Sequence, residues 1–134
     1  MISGGCNCGA VRYEINAKPV VVAQCHCKNC QRQSGSAFSV NLLVPEAAVS
    51  LKGELTTYTD RDTLSGNPVY RKFCPHCGSP IISAQPEGKG MIIIKAGTLD
   101  EPGAFKPAVS VWTSTAWPWV PLPEGQKQFP QNPG

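Results

Sequence analysis

The chain has 134 residues, of which 41% are hydrophobic and 16% charged, and its formal net charge is +3; this length predicts one domain. Thirteen glycines and thirteen prolines disfavour a helical bundle, and no apolar run approaches the roughly 18 residues of a membrane span. Because the sequence has neither a Lys/Arg cluster nor a signal-peptide pattern at its start, we expect a cytoplasmic protein that binds neither nucleic acid nor membranes.

Short strands dominate the first half of the chain. Residues 10–15 alternate apolar and polar side chains, which indicates a half-buried strand, and residues 20–23 form a second strand that leads into a group of cysteines. Residues 28–33 predict a short helical turn that ends at Ser34 and Gly35. Further strands are expected at residues 37–44, 49–51 and 55–59.

The second half continues in the same way. Residues 60–68 are rich in turn formers and predict a loop. The strands expected after this loop cover residues 69–73, 81–83, 91–95 and 109–113, the last of them being the final strand. Four prolines mark an extended or loose tail: Pro121, Pro123, Pro130 and Pro133. Many short strands with Gly/Pro turns favour a sandwich or barrel-like β fold.

Seven cysteines dominate the chemistry of the sequence, at positions 6, 8, 25, 27, 30, 74 and 77. In a reducing compartment, grouped cysteines are typical of metal sites, and an odd number would leave one thiol outside any disulfide framework. The groups divide naturally into a set of four and a set of three. A closed structural zinc site has four protein ligands, whereas a catalytic zinc site has three and an open position.

The four-ligand site is assigned to Cys6, Cys8, Cys74 and Cys77. Two thiolates three residues apart on a turn can reach one ion, and Gly78 permits the positive φ that such a turn often needs. Cys6 and Cys8 converge because residues i and i+2 of a strand point the same way. Such a site would contribute on the order of 10 kcal/mol to folding. The candidate catalytic residues, which are also the ligands of the second metal site, are Cys25, Cys27 and Cys30.

Other interpretations of these groups stay open. A CxxC pair is also typical of redox dithiols, so the set of three predicts either a second zinc site, which can be partly occupied, or a thiol sensor that forms a disulfide under mild oxidant. Both histidines, His26 and His76, lie inside cysteine groups. Because thiolates already fill the tetrahedral coordination, we expect each histidine beside a site or at the surface rather than on the ion.

Three stretches together resemble one known family. GGCNCGAVRYE (4–14), CHCKNCQRQSGSAFSVN (25–41) and FCPHCGSP (73–80) are similar in order, spacing and flanking glycines to glutathione-dependent formaldehyde-activating enzymes, whose domain is also named after centromere protein V. The similarity runs from about Gly4 to Trp119. Two features differ: Ser110 stands where the family often has His, and the chain is shorter than the founding formaldehyde enzymes.

The resemblance implies a mainly β, Mss4-like (β-tent) fold of short antiparallel strands stapled by zinc. It implies a zinc domain over residues 1–120 followed by a Pro-rich tail over residues 121–134. It also implies a closed and an open zinc site on the two cysteine sets given above. The activity implied is that of a carbon–sulfur lyase, an S-(hydroxymethyl)glutathione synthase acting on a glutathione-like thiol and on formaldehyde or another aldehyde.

The open site suggests a chemical hypothesis. A substrate thiolate takes the fourth position on zinc and adds to the carbonyl carbon. Arg32, with Lys28 and Arg12, is a candidate to pair with glutathione carboxylates, although solvated surface charge is the commoner role of such residues. Ser34 and Gly35 offer groups to the same ligand or form a plain turn.

A second hypothesis is a non-catalytic, zinc-stapled protein-interaction module, since fold does not dictate function. The Pro-rich end and the tryptophan-containing segment would then form part of the contact surface. The three tryptophans either line a pocket or pack in the core, and they are Trp112, Trp117 and Trp119. The sequence leaves the oligomeric state open.

Overall fold

The computed structural model describes residues 1–133, which form eleven short strands and one α-helix, α1 (Lys28–Ser34). The strands are β1 (Ile2–Gly5), β2 (Arg12–Ile15), β3 (Val21–Cys25), β4 (Ser39–Pro45), β5 (Val49–Lys52), β6 (Thr56–Asp60), β7 (Val69–Phe73), β8 (Pro80–Ala84), β9 (Met91–Lys95), β10 (Val109–Val111) and β11 (Lys127–Gln128). Short 3₁₀ turns cover Glu46–Ala48, Ala96–Thr98, Pro102–Ala104 and Thr113–Thr115. Within residues 1–133, no helix has the length and apolar character needed to cross a bilayer.

The strands form two sheets. The small sheet has the order β1-β2-β5, and the large sheet has the order β11-β10-β3-β4-β9-β8-β7-β6. All pairings are antiparallel except those of β10, which runs parallel to both β3 and β11. The prediction of a mainly β fold is therefore confirmed, with two parallel pairings added to the antiparallel ones expected.

Most elements lie where the sequence pattern placed them. Strands β7 and β9 have the predicted bounds, and α1 ends at Gly35, whose φ of 64° lies in the left-handed region that favours glycine. Strand β1 was not predicted. The prediction that the strand at 109–113 is the last one was wrong, because β11 follows it. Strand β11 has only two residues, which are too few to show any periodicity in the sequence.

The hydrophobic core lies between the two sheets. Tyr13 and Ile15 of the small sheet pack against Leu42, Val44 and Ile94 of the large sheet, and each of these side chains is at most 2% exposed. Because side chains alternate across a strand, the neighbouring residues of β3, β4 and β9 point to the opposite face. That opposite face forms the floor of a cavity described below.

The Pro-rich segment is extended and continues the large sheet. The Lys127 N–H donates to the Ala108 carbonyl at 3.1 Å, and the Phe129 N–H donates to the Ser110 carbonyl at 2.9 Å. One register step further on, the Trp112 N–H donates to the Gln131 carbonyl at 3.2 Å. The segment thus lies along β10, while the division of the chain at residue 120 stays a prediction.

Candidate metal centres and an adjoining cavity

Four cysteines from distant parts of the chain converge. The Cys8 sulfur lies 3.6 Å from the Cys6 sulfur and 3.8 Å from the Cys74 sulfur, and all four sulfurs, including that of Cys77, lie within 4.8 Å of one another. A tetrahedral zinc ion with Zn–S bonds of about 2.3 Å holds its sulfurs about 3.8 Å apart. The donor set and its spacing therefore fit one zinc ion.

Backbone groups fix these sulfurs in place. The Val11 N–H donates to the Cys6 sulfur at 3.2 Å, and the His76 N–H donates to the Cys74 sulfur at 3.4 Å. Gly78 has a φ of 78°, which confirms the predicted conformation of this turn. The His76 side chain is exposed and lies outside the sulfur set, as expected for a residue that does not bind the ion.

Ser79 links the two halves of the four-cysteine site. Its hydroxyl lies 3.2 Å from the Cys77 sulfur and also accepts a hydrogen bond from the Asn7 N–H at 3.0 Å. The hydrogen bond from Ser79 is the main cause that lowers the pKa of Cys77 to about 5. A lower pKa favours the thiolate, which is the form that binds a metal.

The other three cysteines form a compact cluster where β3 meets α1. Cys25 ends β3, Cys27 precedes the helix, and Cys30 lies in its first turn. The Cys27 sulfur accepts a hydrogen bond from the Cys30 N–H at 3.2 Å. The three sulfurs lie within 4.8 Å of one another, and within residues 1–133 no further Cys, His, Asp or Glu joins the group. The cluster fits a metal ion that keeps one position open, while the catalytic role of these cysteines stays a prediction.

The thiols of this three-cysteine cluster control one another's protonation. Hydrogen bonds with Cys25 and Cys27 lower the pKa of Cys30, whereas the hydrogen bond with Cys27 is the main cause that raises the pKa of Cys25. One thiolate therefore forms readily, but like charges at this distance oppose a second and a third. A bound cation is what would stabilise all three thiolates together.

His26, between Cys25 and Cys27 in sequence, is a packing residue. Its side chain is fully buried, and its ring centroid lies 5.2 Å from that of Phe38. Neither ring nitrogen has a hydrogen-bond partner among residues 1–133, and burial lowers the pKa of the imidazole. His26 thus lies beside the three-cysteine cluster without joining it, and it is not at the surface.

A cavity of about 520 Å³ opens beside the three-cysteine cluster. Trp112 packs against the cluster and lines the cavity, and its indole N–H donates to the Asn132 side-chain oxygen at 2.8 Å. Pro133 lines the same wall. Trp117 and Trp119 lie outside this lining, so only one of the three tryptophans considered from the sequence forms part of the cavity.

A row of buried polar residues on the cavity floor was missed by the sequence analysis. The Lys95 ammonium donates to the Asn41 side-chain oxygen at 3.0 Å, and the Arg71 Nε–H donates to Asp60 at 3.2 Å. Burial lowers the pKa of Lys95. The Ser83 hydroxyl is buried with no hydrogen-bond partner in residues 1–133. The available signal was Lys95 at the end of the otherwise apolar β9, whereas in β7 the adjacent charges of Arg71 and Lys72 do not show which of the two is buried.

The residues predicted to contact glutathione lie outside this cavity. Arg32 is exposed and borders a separate depression on the helix side. The Ser34 hydroxyl donates to a helix carbonyl at 2.7 Å, and the Gly35 N–H donates to the Arg32 carbonyl at 3.3 Å, so both residues serve to end α1. Arg12 forms a bidentate pair with Asp100. Ligand contacts by Arg32, Ser34 and Gly35 stay predictions.

Ser110, at the position where His was expected from the resemblance, connects the tail to the sheet. Its side chain is fully buried, and its hydroxyl donates to the Gln126 side-chain oxygen at 2.7 Å and lies 3.2 Å from that of Gln24. Its neighbour Val111 lines the cavity, so the Ser110 side chain points to the opposite face of β10.

Comparisons with known proteins bear on this geometry. The sequence profile of the family described as "Glutathione-dependent formaldehyde-activating enzyme" matches residues 1–115, a span that includes all seven cysteines. A Halomonas elongata protein named "Putative glutathione-dependent formaldehyde-activating enzyme" is 25% identical over 104 residues. The match covers 75% of this chain and 66% of that protein, so the chain spans just under two thirds of its relative's length.

A solved structure shares the fold. The crystal structure of a Rhodobacter sphaeroides protein superposes with a TM-score of 0.57 over 95% of this chain and 98% of that one, at 17% identity. This likeness concerns the fold alone, and together with the family match it agrees with the Mss4-like class expected from the sequence. The segment that lies along β10 after residue 115 is outside the family match.

Proposed function

The chain belongs to the glutathione-dependent formaldehyde-activating enzyme family, and we propose that it is a zinc-dependent carbon–sulfur lyase that joins a glutathione-like thiol to formaldehyde or another aldehyde. One observation carries this proposal: three sulfurs within 4.8 Å of one another, without a fourth ligand in residues 1–133, face a cavity of about 520 Å³. A purely structural zinc site has four protein ligands. The cluster therefore supports exchange of a small ligand at the metal.

The two cysteine sets would hold the ions. Cys25, Cys27 and Cys30 would hold the catalytic zinc, and the four-cysteine site would hold a structural one. When bound at the three-cysteine cluster, zinc supplies positive charge that lowers the pKa of a thiol at the open position. The chain's own contribution is to fix the three sulfurs at the junction of β3 and α1, where the Cys30 N–H orients the Cys27 sulfur.

The proposed reaction makes one carbon–sulfur bond. The substrate sulfur adds to the carbonyl carbon, the π pair of the carbonyl moves to its oxygen, and that oxygen takes up a proton in place of the one the thiol lost. The reverse reaction cleaves the carbon–sulfur bond. Val21, Ala23 and Leu43 give the cavity apolar walls, from which a bound substrate would displace water, and this displacement favours addition of the thiol over hydration of the aldehyde.

We assign this activity to a zinc domain of residues 1–120, with residues 121–134 as a Pro-rich tail. All seven cysteines lie in the first of these segments. The thiols must stay reduced to hold a metal, and a reducing compartment such as the cytoplasm provides that condition.

The test combines metal analysis with an exchange measurement on freshly isolated protein. Elemental analysis is expected to give one zinc for each of the two cysteine sets, with one ion perturbed by added glutathione. NMR exchange spectroscopy should show faster interconversion of formaldehyde and S-hydroxymethylglutathione than in protein-free buffer. Cys27→Ser should remove this acceleration, and His76→Ala, a change at an exposed residue of the other site, should keep it. A single zinc that is indifferent to thiols, or no acceleration, overturns the proposal.

A non-catalytic interaction module is the second candidate. Trp119 is 75% exposed, and its ring centroid lies 5.6 Å from that of Trp117, so the pair presents apolar surface to solvent. Exposed aromatic residues of this kind are enriched at binding surfaces. This hypothesis predicts that the wild-type protein gives no acceleration in the exchange measurement, so the same experiment decides between the two functions.

A further inference from the structure

The cavity floor carries two buried cations and a buried hydroxyl that the proposed reaction does not use. Lys95 is 6% exposed, Arg71 is 5% exposed and Ser83 is 2% exposed, and all three line the cavity. Lysine and arginine are almost never buried to this extent unless they are paired. The floor therefore needs an explanation beyond packing.

The positive charges of Arg71 and Lys95 are not neutralised in the same way. Arg71 pairs with Asp60 through Nε and Nη2, each 3.2 Å from the same carboxylate oxygen, and Asn29 donates to both oxygens of that carboxylate. The Lys95 ammonium has only the neutral Asn41 oxygen, at 3.0 Å. Within residues 1–133, Lys95 thus has no carboxylate partner, and the floor retains one positive charge.

The cysteine cluster explains only part of this arrangement. Three thiolates around a divalent ion carry a net negative charge, which attracts the Lys95 ammonium. That attraction gives no role to Ser83, whose hydroxyl has no partner in residues 1–133. Ser83 lies on β8, in register with Arg71 on β7 and with Ile93 on β9, two residues before Lys95. A free hydroxyl between two cations suits an oxyanion.

We propose that Lys95, Ser83 and Arg71 form a subsite for a carboxylate group of the substrate. This inference rests on the proposed function, since the same molecule would reach both this floor and the three-cysteine cluster. Lys95 on β9 is in register with Asn41 on β4, which is in register with Ala23 on β3, two residues before Cys25, so the backbones of β9 and β3 lie about 10 Å apart at the usual strand spacing. A short, linear molecule spans that distance.

The charge of the floor indicates a monoanion. One positive charge without a carboxylate partner matches a carboxylate better than a doubly charged phosphate, because the net negative charge of a zinc-loaded cluster and the apolar walls both penalise any further negative charge. At the rim, exposed Glu87 and Lys89 offset each other and add no net charge. Formaldehyde has no carboxylate, so the group belongs either to the thiol or to a larger aldehyde that is also an acid.

The test is calorimetric titration of the zinc-loaded full chain with two matched ligand pairs. The thiol pair is linear mercaptohexanoate and its amide, and the carbonyl pair is linear oxohexanoate and its amide. In at least one pair the wild-type protein should bind the acid about tenfold or more tightly than the amide, the size expected for a charge-assisted hydrogen bond. The pair that shows this preference identifies which substrate carries the carboxylate.

Variants show which residues cause the preference for the acid over the amide. Lys95→Met should abolish the preference for the acid and leave the affinity for the amide unchanged, a pattern that a purely structural role of Lys95 would not produce. Ser83→Ala, which keeps both cations, should reduce the preference severalfold. Lys52→Met, which removes an exposed lysine from the small sheet, is the charge-matched control and should keep it. Equal affinities for acid and amide in the wild-type protein, or a preference that survives Lys95→Met, overturn the subsite.

The subsite and the proposed function fail in different ways. Thiols that bind with no preference for the acid, together with a carbonyl pair that shows no preference either, contradict the subsite alone. A preference within the carbonyl pair, without thiol binding and without acceleration of formaldehyde exchange, supports the subsite and contradicts the proposed function. Absence of binding by all four ligands contradicts both.

Discussion

The four-cysteine site joins residues as far apart in sequence as Cys6 and Cys77, whereas the three-cysteine cluster comes from one stretch of six residues, 25–30. Cys74 of the first site is fully buried against the core between the sheets. The second has the partly buried hydrophobic residues Val111 and Trp112 packed against it and faces a cavity. Because closing a long loop restrains the unfolded chain more than closing a short one, we expect a metal at the four-cysteine site to stabilise the fold and one at the three-cysteine cluster to contribute less to stability.

Removal of one ligand from each site tests this comparison most strongly. Cys74→Ser should abolish cooperative unfolding, because the loss of on the order of 10 kcal/mol from a structural zinc is comparable to the roughly 5–15 kcal/mol that stabilises a whole domain. Thermal unfolding followed by circular dichroism, together with zinc analysis, measures the effect. Cys27→Ser is the matched control and should retain a cooperative transition and one zinc; equal damage in both variants would show that the two sites do not differ in this way.

Stepwise chelation should separate the two ions. A chelator added in increments should first remove the zinc at the three-cysteine cluster, because that ion has fewer protein ligands and is reached through the cavity. The fold should persist until the second ion is lost. Zinc release measured with an indicator dye, together with circular dichroism, follows both events. Simultaneous loss of both ions and of the fold would contradict the assignment of separate roles.

The two faces of the large sheet should also respond differently. Ile94 is fully buried in the core between the sheets, so Ile94→Ala should cost about 2–5 kcal/mol of unfolding free energy. Lys95→Met, one residue further on and facing the cavity, should cost far less, because an apolar residue of similar length removes a buried charge. Urea denaturation measures both, and Val20→Ala, at a residue 66% exposed, is the control. If Lys95→Met lowers the unfolding free energy more than Ile94→Ala does, the core does not lie on the face of the large sheet that carries Ile94.

The smallest effect is expected at the turn that follows Cys77. Gly78 has a φ of 78°, and an added Cβ would meet no atom within 4 Å, so Gly78→Ala should cost roughly 1–2 kcal/mol through backbone conformation alone. Gly97→Ala is the matched control, because its Cβ also meets open space while its φ is ordinary. Denaturation midpoints compare the two variants, and identical midpoints would mean that the turn does not depend on its left-handed glycine.

The cysteine partition could be predicted because it depends on the coordination number of zinc and on short spacings. The convergence of Cys8 and Cys74 follows from the same chemistry, although no local pattern shows it. The pairing of β11 with β10 could not be predicted, because it depends on contacts such as that between Ser110 and Gln126, sixteen residues apart.

The polar floor escaped prediction for a different reason. A period of two shows that Lys95 and Ile93 share one face of β9, but it does not show whether that face is covered by protein or borders a cavity. The predicted contacts of Ser34 and Gly35 were drawn from their position after Cys30, whereas the structure uses both to end α1. Contacts of these two residues with a ligand stay predictions.

The wall formed by Asn132 and Pro133 lies outside the part of the chain that matches the family. Substitutions there can reshape the cavity without replacing a cysteine or a side chain of the core between the sheets, and Asn132 reaches the three-cysteine cluster only through the indole of Trp112. Under the proposed function, substrate selectivity would therefore depend partly on residues that do not bind metal, and selection acting on a handful of late residues could broaden or narrow the range of compounds accepted while the cysteine-bearing scaffold stays constant.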